Sequence, residues 1–218
     1  MNENEIREIV ERVFEKRRAA DGAAKDEAAG SKILIEASAR HVHLTKEAVE
    51  NLFGSGEKLN CVRELSQPGQ FLSDKRVKII SPKGIIENVA VLGPERPSVQ
   101  VELSLTDCRA LGIDAPVNMS GDMSGAADVF ISGEKGVIFA RESAIAAKAH
   151  IHLRPRDAEA HGVSNNQHVK VKVGGRRPLT FDDVVIRVSE DYAPAMHIDF
   201  DEANACCLEK GMEGTIIK

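Results

Sequence analysis

Apolar side chains first recur along this chain at Ile6, Ile9, Val10, Val13 and Phe14, within "MNENEIREIVERVFEKRRAA". That i, i+3, i+4, i+7, i+8 spacing predicts an amphipathic helix over residues 1–20, with charges covering its other face. Residues 21–32, "DGAAKDEAAGSK", are small and polar with no apolar period, and read as a flexible linker. A short tethered helix is unstable alone and gains stability by laying its stripe on a partner or on its own domain.

Beyond residue 32 the pattern changes to short β-branched runs, partly alternating and punctuated by Gly, Pro, Asn or Asp. "KILIEAS", "RVKIIS", "IIENVAVLG", "SVQVELSL", "DVFISGE", "GVIFARE", "HVKVKVGG", "DDVVIRVS" and "MHIDF" each predict a strand. Helical pieces are brief. One starts at Thr45, a good N-cap, and runs toward Gly54; another starts near Pro155 and ends by Gly162. Many short strands with few helices point to a mainly β fold of barrel or sandwich type.

The chain also repeats itself. "SARHVHLTKEAVENLFG" aligns with "AKAHIHLRPRDAEAHGV", and "VELSLTDCRA" with "MHIDFDEANA", each a strand leading into an acidic helix start. In that register Glu102 falls opposite His197. Each half therefore offers a His-X-His pair and a third ligand-type residue: His41, His43 and Glu102 in one, His150, His152 and His197 in the other.

On a strand, residues i and i+2 share a face, so each His-X-His aims both imidazoles at one point while Val42 or Ile151 packs the other way. Two imidazoles plus one further N or O ligand leave a coordination position open, the pattern of a catalytic zinc rather than a structural one. Two equivalent sets suggest two metals meeting at a pseudo-twofold interface. Arg96, Gln100 and Glu102 are evenly spaced and would share a strand face, if a strand continues past Pro97. Arginine beside an open metal position suits an oxyanion, because a guanidinium grips phosphate or carboxylate with two hydrogen bonds.

Composition removes other classes. The net charge of −5 gives no basic field for nucleic acid, and no Trp, one Tyr and seven Phe leave few stacking platforms. No run approaches the roughly 18 apolar residues of a membrane span, and the Glu- and Arg-rich start lacks a signal-peptide core. Cys61, Cys108, Cys206 and Cys207 form no C-x-x-C pair and read as reduced thiols of a cytosolic protein.

The stretches "SARHVHL", "LSQPGQF", "PKGIIENVAVLGPERPSVQVELS", "SGDMSG", "HIHL" and "MHIDFDEANA" closely resemble the PduL-type phosphate acyltransferases (phosphate propanoyltransferases), from about residue 33 to the C-terminus. The resemblance implies two β-barrel domains related by duplication, over residues 33–140 and 141–218, with the option of exchanged strands. It implies two zinc ions held by the six residues above, and reversible transfer of a short acyl group between coenzyme A and inorganic phosphate. Arg96 matches the phosphate-binding arginine; Ser120, Gln100 and Arg187 match polar residues around the phosphate. Ser38, Ala39, Arg63 and Asn204 fall where the family contacts coenzyme A. Residues 1–20 resemble the encapsulation peptides of bacterial microcompartment enzymes. That implies a place inside a microcompartment, docking on shell or cargo proteins; the apolar docking stripe also favours association into a homo-oligomer. Two positions depart from the pattern. Ala149 stands where an arginine usually precedes the second His-X-His, and Cys206 and Cys207 stand where small residues are usual.

Acyl transfer to phosphate in a ternary complex needs no protein nucleophile, whereas a covalent route would use Cys206 or Cys207. The same constellation could instead hydrolyse a thioester or phosphoester, with water replacing phosphate, or serve as zinc scaffolding without catalysis.

Overall fold

The computed structural model describes residues 32–218; the stretch expected to form an amphipathic helix, and all of the linker but its last residue, lie outside the described residues. The elements, in order, are β1 (Lys32–Ala37), β2 (His41–His43), α1 (Lys46–Phe53), β3 (Cys61–Glu64), β4 (Phe71–Ile80), β5 (Ile85–Gly93) and β6 (Gln100–Leu103). There follow α2 (Leu105–Leu111), β7 (Val117–Asn118), β8 (Ala127–Ser132), β9 (Val137–Ala147), β10 (His150–Leu153) and α3 (Pro155–His161). The chain closes with β11 (His168–Val173), β12 (Leu179–Val188), β13 (Ala195–Ile198), α4 (Phe200–Cys206) and β14 (Glu213–Ile217).

The strands close into two six-stranded rings. One runs β4–β5–β2–β6–β9–β8 and back to β4, with β3 and β7 attached to β4 and β9. The other runs β1–β13–β10–β12–β11–β14 and back to β1. Closure leaves no open edge along either ring. Every neighbour relation in one ring has a counterpart of the same sense in the other: β2 lies parallel to β5 and antiparallel to β6, as β10 lies parallel to β12 and antiparallel to β13. The fold is thus a duplicated mainly β barrel.

The first strand of each repeat is exchanged. β1 opens the first repeat but pairs parallel to β13 in the second barrel. β9 opens the second repeat but pairs parallel to β6 in the first barrel. The sequence division at residue 140 therefore falls inside β9. The chain crosses between barrels immediately before each His-X-His, at residues 38–40 and 148–149.

Each barrel has its own core. Val42, Leu44, Ile79, Val91, Val101 and Ile131 fill the first; Ile33, Ile35, Ile151, Val171, Ile186 and Met196 fill the second. The helices form where the sequence caps them. Thr45 accepts the Ala48 N–H at 3.0 Å to start α1, which buries Ala48, Val49, Leu52 and Phe53 and stops at Gly54. α2 starts with a capping box between Ser104 and Asp107, and its equivalent α4 with one between Asp199 and Glu202. α3 has Pro155 in its first turn and ends at Gly162, whose φ of 61° is a left-handed C-cap. No helix among the described residues is long and apolar enough to cross a membrane.

Candidate active site between the barrels

The His-X-His motifs are strands, as the spacing requires. β2 pairs with β6 so that His41 faces Glu102 and His43 faces Gln100. β10 pairs with β13 so that His150 faces His197. Val42 and Ile151, both fully buried, point into the two cores. The alternation leaves the imidazoles on the side that faces the other barrel.

In the first trio, ligand atoms of His41, His43 and Glu102 all lie within 4.8 Å of one another, and the three side chains are buried. It is the one such group among the described residues. His41 Nδ1 lies 2.8 Å from the Ala39 carbonyl. A carbonyl only accepts, so His41 carries its proton on Nδ1 and leaves the Nε2 lone pair free, 3.6 Å from Glu102 Oε2. Glu102 is held inside its own barrel: Ser120 donates to Oε1 at 2.7 Å and the Gln100 amide donates to the same atom. Gln100 is fixed in turn by the Gly121 N–H at 3.0 Å. Burial pushes the Glu102 carboxyl up, but His41, the Ser120 hydroxyl, His43 and His150 of the other barrel more than offset this and hold it below its ordinary value. Burial, reinforced by His41 and Arg96, lowers His43 to about 3.

The second trio is brought together but is looser. The ring centroids of His150 and His152 are 4.7 Å apart, those of His152 and His197 5.0 Å, and those of His150 and His197 5.4 Å. The three nitrogens do not draw to one point as the first set does. His150 repeats the arrangement of His41: its Nδ1 donates to the Lys148 carbonyl at 2.8 Å and leaves Nε2 free. Burial lowers His150, takes His152 to about 2, where His150, His197 and Arg187 assist, and takes His197 to about 4, with His150 assisting. These imidazoles are neutral at physiological pH, the state a metal ligand requires.

Both ring nitrogens of His152, and Nδ1 of His43, are buried with no hydrogen-bond partner. Such groups cost about 1–3 kcal/mol each unless something pairs them. Neutral imidazole nitrogens with one carboxylate are the donor set of a borderline divalent cation such as zinc. The residues present therefore fit a metal.

Both trios line one cleft of about 1060 Å³, together with Arg96, Arg187, Ser120, Ser38, Ala39 and Arg63. Arg96 lies on the loop before β6, not on the strand, and is anchored by its N–H to the Leu44 carbonyl at 2.8 Å. The strand face expected to carry Arg96, Gln100 and Glu102 thus holds only the last two, because β6 begins at Gln100. Arg187 pairs directly with His152 on β12. Burial and the neighbouring Arg187 lower Arg96, so the two half-buried guanidinium groups line the cleft close enough to repel each other. Gln100 is buried behind Glu102 and does not line the cleft, and neither does Asn204, exposed on α4.

Neither adjacent cysteine reaches the cleft. Cys206 is fully buried, its Sγ donates to the Ala203 carbonyl at 3.5 Å, and burial pushes its thiol up. A buried thiol with a raised pKa is a poor nucleophile.

Two residues not singled out in the sequence belong to the site. The Tyr192 ring stacks on His152 with centroids 4.0 Å apart, and Arg154 Nε holds the Tyr192 carbonyl at 2.9 Å. Gln67, buried in the β3–β4 hairpin, reaches across to the second barrel. Tyr192 is the single tyrosine of the chain, and Gln67 sits within "LSQPGQF", but nothing in either spacing says what the side chain meets.

A family profile described as phosphate propanoyltransferase matches residues 34–209. Curated relatives called phosphate propanoyltransferase span nearly the whole chain. The protein of Listeria monocytogenes is 52% identical over 184 residues, 84% of this chain and 86% of its own length. That of Clostridioides difficile is 49% identical over 216 residues, 99% of each chain. That of Alkaliphilus metalliredigens is 45% identical over 218 residues, 100% of each.

Proposed function

Because this chain belongs to the phosphate propanoyltransferase family, we propose that its cleft moves a short acyl group between coenzyme A and inorganic phosphate, with two zinc ions, one per trio. The observation that carries this is the convergence on one cleft of six ligand-type side chains from equivalent strands of both barrels, with Arg96 and Arg187 beside them.

In the forward direction an oxygen of phosphate attacks the thioester carbonyl. The new C–O bond gives the acyl phosphate, the C–S bond breaks, and coenzyme A leaves as thiolate. His41, His43 and Glu102 would hold one cation, and His150, His152 and His197 the other. Bound there, the metal supplies Lewis acidity for the carbonyl and charge neutralisation as the oxyanion and thiolate develop. Arg96 and Arg187 repel each other across the cleft. A phosphate between them relieves that repulsion and is held with an oxygen toward the thioester. Alignment of this kind supplies about 7–11 kcal/mol of barrier lowering in well-oriented cases. Ser120 and Gln100 bond Glu102 through Oε1, which leaves Oε2 directed at His41, and the Ser120 bond helps keep the carboxylate ionised. Leu34, Leu72, Leu92, Leu103 and Leu208 give the cleft apolar walls that exclude water, which would otherwise hydrolyse both thioester and acyl phosphate. Ser38, Ala39 and Arg63 line the same cleft and are assigned to coenzyme A; Asn204, which does not line it, is assigned to coenzyme A as well.

Residues 1–20 are assigned to docking on microcompartment shell or cargo proteins. Repeats 33–140 and 141–218 are each assigned one trio, in a homo-oligomer.

Acyl-CoA incubated with the protein, with and without phosphate, tests the reading through release of free thiol. Release that depends on phosphate and is matched by acyl phosphate supports transfer. Equal release without phosphate makes the cleft a hydrolase. No release in protein that still carries metal leaves only the scaffold.

A further inference from the structure

Gln67 belongs to the first barrel, in the hairpin between β3 and β4, yet its side chain bonds only to the second. Its Nε2 donates to the Ala193 carbonyl at 2.9 Å, and its Oε1 accepts the Ala193 N–H at 3.2 Å. The same Nε2 stands 3.2 Å from His197 Nε2. A backbone carbonyl can only accept and a backbone N–H only donate, so Ala193 alone decides which end of the Gln67 amide is nitrogen. The amide nitrogen has two hydrogens and no lone pair to offer. One hydrogen goes to Ala193; the other faces His197 Nε2, which must therefore be unprotonated. His197 is fixed with its proton on Nδ1 and its lone pair on Nε2.

The same tautomer is set at His41 and His150 by backbone carbonyls two residues upstream in their own strand crossings. Among the described residues no backbone carbonyl bonds the His197 ring, which takes its tautomer from the opposite barrel. The Ala193 grip also matters one residue back. Tyr192 stacks on His152, so the loop that covers the second trio is held by Arg154 at the Tyr192 carbonyl and by Gln67 at Ala193. Beside it, Ser66 donates to Glu36 on β1, the cross-strand neighbour of His197, a second tie between the hairpin and the second barrel in which Ser66 itself bonds neither His197 nor the loop.

We propose that Gln67 is a positioning residue of the first barrel that presets His197 and the Tyr192 loop, and thereby controls cation binding at His150, His152 and His197. This rests on the reading that each trio holds a cation. One hydrogen of Gln67 yields when a cation takes the Nε2 lone pair, while both bonds to Ala193 persist.

The test is made with full-length protein equilibrated in buffers of fixed free zinc, with bound zinc counted per chain. Wild type retains two ions. In Gln67→Leu, which frees the Ala193 backbone and the Tyr192 loop, one ion is released at a free-zinc concentration about 10-fold higher than in wild type, the low end of the range for losing an outer partner of a metal site, because the Gln67 hydrogen on His197 Nε2 itself competes with the cation. The other is unmoved within about twofold, and Ser66→Ala moves neither. Equal release from Gln67→Leu and wild type overturns the proposal, as does equal weakening of both ions, or a Ser66→Ala that matches Gln67→Leu. A wild type that never holds a second ion ends both this inference and the two-cation reading; a two-ion wild type with an indifferent Gln67→Leu ends only the inference. Should Gln67→Leu not fold, nitrogen NMR of the histidine rings in zinc-free wild type decides. Unprotonated Nε2 at His197 is expected, and a proton there overturns the assignment.

Discussion

The two trios occupy equivalent places in equivalent barrels, and they are not in the same condition. His41, His43 and Glu102 are gathered within 4.8 Å, while His150, His152 and His197 stand as a looser set of rings with both nitrogens of His152 unpaired. One residue accounts for this. Glu102 is fixed through Oε1 by Ser120 and the Gln100 amide, which sets its Oε2 3.6 Å from His41 Nε2. His197, its counterpart, has no such side-chain anchor in its own barrel among the described residues, and the lone pairs of three neutral imidazoles repel one another. The first site is preformed by its own barrel. The second is tied from outside, by Gln67. Duplication thus supplied the same strand geometry twice, with a carboxylate in one half where the other has an imidazole, and the first trio is the more tightly gathered.

The comparison assumes the barrels are one interlocked body, and the largest effect should come from breaking that. Ile35 lies on β1, among first-repeat residues, but is 3% exposed in the second-barrel core; Ile145 lies on β9 and is fully buried in the first barrel's sheet. Truncating either to Ala should cost about 2–5 kcal/mol. Each barrel borrows a strand from the other repeat, so denaturant unfolding followed at both trios should remain one transition in each variant. Two separated transitions, one per barrel, would show that the exchanged strands do not couple them.

Next comes Glu102→Ala, which removes the difference between the trios at its source. Transfer should fall by at least about 10²-fold, beyond what loss of a ligand's partner alone produces. Zinc should be lost from the first trio and kept at the second. Stability should also drop by about 1–3 kcal/mol, because Ser120 and the Gln100 amide lose their buried acceptor. Metal counting with phosphate-dependent thiol release reads both. A variant that keeps two ions and full turnover would mean that the carboxylate does not organise the first site.

Much of this was legible beforehand. β5 was read at its full extent, Ile85–Gly93, and α1 between Thr45 and Gly54, because turn and cap residues bound them on both sides. The alignment that set Glu102 against His197 is the strand register itself, since each is the cross-strand partner of the first histidine of its motif. Other features carry no local signal. β3 is exposed along its whole length, so no alternation marks it. β9 continues from "GVIFARE" through Ser143–Ala147, small residues apart from Ile145, buried as far as Ala146 by packing rather than chosen by propensity. Strand exchange is invisible to pattern, since β1 reads the same in either barrel. Gln67 depends on backbone groups 126 residues away, and no spacing within one hairpin reveals them.

The smallest effect is the cleanest contrast, because the same substitution should act with opposite sign in the two halves. α2 and α4 are equivalent helices with equivalent capping boxes. In α2 the third-position acid, Asp107, has Arg40 beside it at 2.6 Å. In α4 that acid is Glu202, and its N-cap partner Asp199 is itself an acid, with Asp201 adjacent. Burial, with Asp199 and Asp201, pushes the Glu202 carboxyl up to about 7 from its ordinary 4.5. A raised carboxyl pKa means that the folded state binds the proton more tightly than the unfolded chain. Stability is therefore unaffected below about pH 4.5, declines as pH rises through 7, and stays reduced above it. Glu202→Gln keeps an oxygen for the Asp199 N–H, now accepted at 2.9 Å, and mimics the protonated form. It should match wild type near pH 4.5 and exceed it by roughly 1–2 kcal/mol at pH 8, taking about 1.4 kcal/mol per unit and discounting for partial exposure. At about 2–4 °C per kcal/mol for a chain of this size, thermal melting resolves the difference. Asp107→Asn breaks a half-exposed ion pair instead and should lower stability by about 0–1 kcal/mol. A Glu202→Gln variant no more stable than wild type at pH 8 would mean that the acids at the start of α4 are better solvated than their burial implies.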